Sequence, residues 1–195
     1  MQPYYRRTKQ LTTDEISAIR HYRDLNKKQY KWENVKLKTN RPNKDCDVIN
    51  GYLRGDIPKS QFTKAEFERL QLLINSISSA IEKSSVDHDE LTVYKGVSEF
   101  KGLKKYVEGK KVRDKGFSSF STSEEMALRY AGKNAKGEKI IFALELKRGD
   151  KAVYIDNVEN EWLIQKGCKY YVTKITPYTE SELWGKAIVY YLRLI

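Results

Sequence analysis

Histidine and cysteine are scarce in this 195-residue chain: His21 and His88 are its two histidines, Cys46 and Cys168 its two cysteines. Neither type falls at a Cys-x-x-Cys or His-x-x-x-His spacing, which argues against a structural zinc site. Two isolated cysteines read as buried thiols rather than a disulfide framework and leave the redox compartment open. No Gly-x-Ser-x-Gly run partners either histidine, so serine-hydrolase chemistry falls as well. Long apolar runs are missing too. The longest, Ile140 to Leu144, is far too short to span a membrane. The beginning, Met1-Gln2-Pro3-Tyr4-Tyr5-Arg6-Arg7, is basic with no apolar segment behind it, which argues against a secretory signal and favours action in a cytoplasm. Gly132 to Lys139 has two glycines at Walker A spacing, but Glu138 stands where the phosphate-binding lysine belongs and Lys139, in the next position, offers magnesium no hydroxyl. It is not a P-loop.

What the chain has in excess is positive charge. Lys+Arg number 37 against 26 Asp+Glu, a formal +11, concentrated at Tyr5 to Lys9, Lys27 to Lys38 and Lys101 to Lys115. Such stretches, interleaved with Trp32 and Tyr106, suit a nucleic-acid face, and equally the solvated surface of an enzyme whose ligand is a polyanion. The second reading is favoured because no nucleic-acid recognition signature accompanies the charge. At 39% hydrophobic and 32% charged, the composition fits a folded domain of one core.

Periodicity divides the chain. Thr12 to Leu25 opens on a capping box, Thr12-x-x-Glu15, with Ile16, Ile19 and Tyr22 on one face. A second helix is expected from Lys44 to Leu53, stopped by Gly55. A third follows Thr63-x-x-Glu66 and carries Leu70, Ile74, Ile77 and Ile81. After residue 88 the pattern turns to strands: Leu91 to Val97, Lys111 to Phe120 after a short helix from Ser98 to Glu108, Glu138 to Leu146, Ala152 to Ile155, Glu159 to Gln165, Tyr170 to Ile175 and Ala187 to Leu194. Helices first and mostly antiparallel strands afterwards is the α+β pattern: one domain, with a helical lobe over 1–88 and a β-rich core over 89–195.

Three short motifs fall in order on those strands. Val93-Tyr94-Lys95-Gly96 ends the first strand. Gly116-Phe117-Ser118-Ser119-Phe120-Ser121-Thr122-Ser123 runs into a helix from Glu124 to Ala131, with Thr122-x-x-Glu125 as the expected capping box. Glu159-Asn160-Glu161-Trp162-Leu163-Ile164 opens a strand, where residues i and i+2 share a face about 6.6–6.8 Å apart. Each alone is common; the order and strand context are not.

The combination resembles the mono-ADP-ribosyltransferase family of the Arg–Ser–Glu type, which includes binary toxins, Rho-modifying exoenzymes and phage transferases. Asn50-Gly51-Tyr52-Leu53-Arg54 is similar to the family's helix that reaches the dinucleotide. The resemblance covers about Thr12 to Ile195 and implies a split, mostly antiparallel β core with an N-terminal helical lobe and NAD in the cleft between. It implies no metal. Glu161 would stabilise the oxocarbenium-like ribose, Ser121 would fix Glu161, and Glu159 would serve an arginine acceptor on a target protein. Lys95, Gly96, Asn50 and Arg54 would meet NAD, with Lys133 as a softer assignment. Tyr154 and Ile155 would lie in the turn that meets the protein substrate. The family's first motif usually carries arginine where this chain has Lys95, a flexible point charge in place of a planar fork. The alternatives are an NAD glycohydrolase, in which water replaces the acceptor, and a basic nucleic-acid-binding or host-interaction module with weakened catalysis.

Overall fold

A computed structural model describes residues 11–23, 29–36, 44–156, 160–178 and 185–195. The chain enters through α1 (Thr13–Tyr22), started by the expected box: Thr12 Oγ1 accepts from the Glu15 amide and Glu15 returns a carboxylate to the Thr12 amide. Thr63 and Glu66 start α3 (Lys64–Glu82) in the same way. Between them, α2 (Asp45–Arg54) stops at Gly55, whose φ of 87° is the left-handed conformation that ends a helix at little cost only for glycine. Leu70, Leu73, Ile74, Ile77 and Ile81 form the buried stripe of α3. Glu15 cross-links the lobe, accepting from Ser79 Oγ at 2.5 Å and Lys83 Nζ at 3.1 Å on α3. Asp45 does the same for α1 and α2, held by Trp32 Nε1 at 2.8 Å and His21 Nδ1 at 2.9 Å.

The strands are β1 (Leu91–Val97), β2 (Lys111–Arg113), β3 (Ser118–Ser121), β4 (Lys139–Leu146), β5 (Ala152–Asp156), β6 (Glu161–Ile164), β7 (Lys169–Tyr178) and β8 (Ala187–Leu194), with α4 (Glu124–Tyr130) between β3 and β4. They lie in the order β2-β7-β8-β4-β1-β3-β6-β5, antiparallel throughout except for β4 with β8. Five strands on one side meet three on the other at β1 and β3, joined by one register pair, Tyr94↔Ser121. That near-break is the split that the family resemblance implies. The three-stranded side rests on the helical lobe, where Phe117, Val153, Ile155 and Leu163 share a core with α1, α2 and α3. On the five-stranded side, α4 sits on β4 and β8 through Ala127, Leu128, Ile141 and Val189.

Three expectations are corrected. Lys111 to Phe120 is two strands, because Asp114 and Phe117 bond to α2 and the Gly116 amide bonds to Asp114, out of the sheet rather than along it. The helix over Ser98 to Glu108 shrinks to one 3₁₀ turn, Leu103–Lys105. Phe100, Leu103 and Tyr106 recur only at the three-residue spacing that suits such a turn. Finally, α4 is capped by Ser123, whose Oγ accepts from the Met126 amide at 3.3 Å, and not by Thr122. The Thr122 amide donates instead to the Asn160 carbonyl. No helix among the described residues is long and apolar enough to cross a membrane.

Candidate active site

The break in the sheet sets the position of the site. At its edge, Ser121 on β3 faces Tyr94 on β1 and Glu161 on β6 as register partners. Antiparallel partners lie about 4.5–5.5 Å apart, so this pairing alone brings the expected serine and glutamate side by side. Ser121 Oγ accepts from the Ser123 amide at 2.9 Å, which ties the serine to the start of α4. Glu161 is 7% exposed. Its Oε2 is ion-paired with Arg23 Nε, at the end of α1. A cleft of about 200 Å³ opens here, lined by Tyr94, Lys95, Gly96, Ser121, Met126 and Glu161 among others. Gly96 makes the cleft narrow. A Cβ there would stand 2.0 Å from the Ala127 carbonyl oxygen, so the end of α4 lies directly on the β1 backbone.

A cluster of polar groups is built from α2, β1 and the link between β2 and β3. Asn50 Oδ1 accepts from the Phe117 amide at 2.9 Å, and its Nδ2 donates to Tyr22 Oη at 2.9 Å. Arg54 donates from Nε and Nη2 to the two oxygens of Asp114, at 3.1 and 3.0 Å. Lys95 Nζ donates to Ser118 Oγ at 3.3 Å. Burial disfavours the Lys95 ammonium and brings its pKa from 10.5 down to about 8, against the pull of Asp114. Burial likewise pushes the Tyr22 hydroxyl above its usual range, so this tyrosine stays neutral beside Glu161.

The structure therefore gathers Lys95, Gly96, Ser121 and Glu161 around one cleft, with Asn50 and Arg54 close by through Asp114 and Ser118. Lys133 is not among the residues lining the cleft. It is exposed and bridged to Lys139, in a loop closed by Asn134, whose Oδ1 accepts from the Lys136 and Glu138 amides. Tyr154 and Ile155 do not lie in a turn. Both are buried in β5, Tyr154 against Trp162 with its hydroxyl on Asn160 and Ile155 in the core of the helical lobe. Glu159 lies outside the described residues. β6 begins at Glu161, and Asn160 before it has a φ of 49°, off the pleat. The sequence reading missed Arg23, Tyr22 and Asp114. For Tyr22 a signal existed, a polar-tipped side chain on the core face of α1; Arg23 and Asp114 are unremarkable charges until the fold brings them in. Among the described residues no group of His, Cys, Asp or Glu forms a metal site.

A model of the ADP-ribosyltransferase exoenzyme family matches residues 2–189, nearly the whole chain. No curated protein sequence matches. Among solved structures, the ADP-ribosylating toxin BECa of a Clostridium perfringens binary enterotoxin, crystallised with NADH, is 21% identical with a TM-score of 0.68. The match covers 100% of this chain and 46% of that one, so this chain spans about half of BECa. The ADP-ribosyltransferase toxin Plx2a from Paenibacillus larvae is 18% identical, with a TM-score of 0.66 over 98% of this chain and 89% of its own. Exoenzyme S from Pseudomonas aeruginosa, solved with human 14-3-3 protein beta and carba-NAD, is 15% identical, with a TM-score of 0.65 over 97% and 78%. At these identities the likeness is one of fold.

Proposed function

Because this chain belongs to the ADP-ribosyltransferase exoenzyme family, with NAD as co-substrate, we propose that it transfers ADP-ribose from NAD to arginine side chains of a target protein and releases nicotinamide. The observation that carries the reading is the register pair Ser121↔Glu161 at the floor of a cleft whose other wall is Lys95-Gly96. Nicotinamide leaves NAD as a neutral molecule from an already cationic ring, so no general acid is needed. What the cleft must supply is one fixed carboxylate for the positive charge that develops on the ribose. Glu161 takes that role, with Ser121 and Arg23 holding it. Lys95 and Arg54 meet the pyrophosphate, and Asn50 orders the loop beneath it through Phe117. Glu159 serves the acceptor. A carboxylate grips a guanidinium in a bidentate pair, and a guanidinium with a pKa above about 12 needs a nearby base before it attacks. Lys133, exposed on the loop after α4, is left as a softer contact of the same pyrophosphate.

Gly116 is the most sensitive position in the supporting shell. A Cβ there would lie 2.7 Å from Asn50 Oδ1, an atom already committed to the Phe117 amide, and 3.0 Å from Arg54 Nε. Gly116→Ala is expected to raise the KM for NAD roughly tenfold, equivalent to about 1.4 kcal/mol of displaced contacts, with a smaller effect on kcat. Steady-state nicotinamide release reads both.

The function itself is tested by incubating the protein with NAD labelled in its adenylate half, a host-cell lysate and agmatine, a small guanidinium. Label on agmatine and on protein arginines is the expected result. Nicotinamide release with no label transferred would make the enzyme a glycohydrolase. Label on protein but never on agmatine would assign a different acceptor side chain.

A further inference from the structure

Asp114 belongs to none of the motifs, yet it holds together the side chains assigned to the pyrophosphate. Its fork with Arg54 occupies the Nε–Nη2 edge of the guanidinium. Its Oδ1 also accepts from the Gly116 amide at 3.0 Å, which fixes the carboxylate to its own loop. Its Oδ2 accepts from Ser118 Oγ at 2.6 Å, and that hydroxyl accepts in turn from Lys95 Nζ. The Asp114 side chain is 16% exposed and that of Arg54 38%, so the carboxylate is the inner member of the pair and the guanidinium the outer. Two cations against one anion leave the cluster positive, with the Nη1 edge of Arg54 outside the fork. Built this way, the cluster meets an anion with little reorganisation.

We propose that Asp114 is the positioning residue of the pyrophosphate site, aiming Arg54 through its fork and Lys95 through Ser118. The inference rests on the reading of Lys95 and Arg54 as dinucleotide contacts, and it deepens that reading by making NAD capture depend on a charge relay within the protein. An arginine at position 95 would stay protonated at every accessible pH, whereas a lysine can lose its proton. The charged groups that face Lys95 are Asp114 and Glu161, which favour the ammonium, and Arg54, which opposes it. Tyr106 and Tyr170 lie near the same carboxylate but are held neutral by burial and by Asp114 itself. Lys95 is thus the group that changes charge as the pH rises through about 8.

The test is the pH profile of kcat/KM for NAD in nicotinamide release, which reports ionisations of the free enzyme. The unaltered protein should lose kcat/KM as the pH rises through about 8. Asp114→Asn keeps an acceptor for the Gly116 amide but removes the charge. It should lower kcat/KM about tenfold at pH 7 and move the basic limb to lower pH, with kcat nearly unchanged. Ser118→Ala cuts only the arm to Lys95 and should shift the limb in the same direction. It decides the matter if Asp114→Asn does not fold. Lys95→Arg should abolish the limb. If Asp114→Asn or Ser118→Ala leaves both the limb and kcat/KM unmoved while Lys95→Arg and Arg54→Ala change them, Asp114 is not the positioning residue. If those last two also leave kcat/KM unchanged, the assignment of the pyrophosphate site itself is wrong.

Discussion

Glu161→Gln is expected to abolish nicotinamide release and ADP-ribose transfer together, by at least about a thousandfold in kcat. The substitution keeps the shape of the side chain and removes its charge, so what is lost is the electrostatic stabilisation of the ribose cation. Removing one well-placed group of this kind costs about a hundred- to a thousandfold where water is excluded. Glu161 is 7% exposed and, in the proposed reaction, carries the full stabilising charge, which places the expected loss at the upper end of that range or beyond. A second effect accompanies the first. Arg23 pairs with Glu161 at the end of α1, so a neutral glutamine removes that ion pair. The loss of stability should be about 2 kcal/mol, less than for a fully enclosed pair because Arg23 keeps 20% of its side chain in water. A thermal melt separates the two effects. A folded Glu161→Gln protein that releases nicotinamide at more than a tenth of the original rate would remove Glu161 from the chemistry.

How much of this site could be read from the sequence depends on the range over which each part is determined. Thr12-x-x-Glu15 and Thr63-x-x-Glu66 are local signals, and both cap the helices that they announce. The pairing of Ser121 with Glu161 was legible because two short strands in register need little more than their order to bring the residues together. Where local and distant interactions competed, the local reading failed. Thr122 had the better capping box, but its amide is engaged by the Asn160 carbonyl, and the cap passed to Ser123. Tyr154 and Ile155 looked like approach residues to a turn, yet their alternation gives each a packed face, one on Trp162 and one on the helical lobe. Asp114 was invisible for a different reason. Its partners Arg54, Ser118 and Gly116 come from two regions of the chain, and no spacing rule links a carboxylate to an arginine sixty positions away.

Glu159→Gln should separate the two halves of the reaction. Transfer to agmatine should fall by about a hundred- to ten-thousandfold, the usual worth of a positioned general base, while nicotinamide release stays within about threefold. The reasoning that first joined Glu159 to Glu161 was the two-residue pleat of a strand, and Asn160 breaks that pleat. Its φ of 49° is a conformation that asparagine tolerates better than most residues, and here it is held from both sides. Tyr154 donates its hydroxyl to Asn160 Oδ1 at 3.0 Å, and the Thr122 amide binds the Asn160 carbonyl at 3.1 Å. Glu161, the residue after Asn160, is directed by the sheet. Measured with NAD alone and then with NAD and agmatine, Glu159→Gln should leave the first rate and lose the second. A parallel collapse of both rates would place Glu159 on the ribose and leave the acceptor base to another residue.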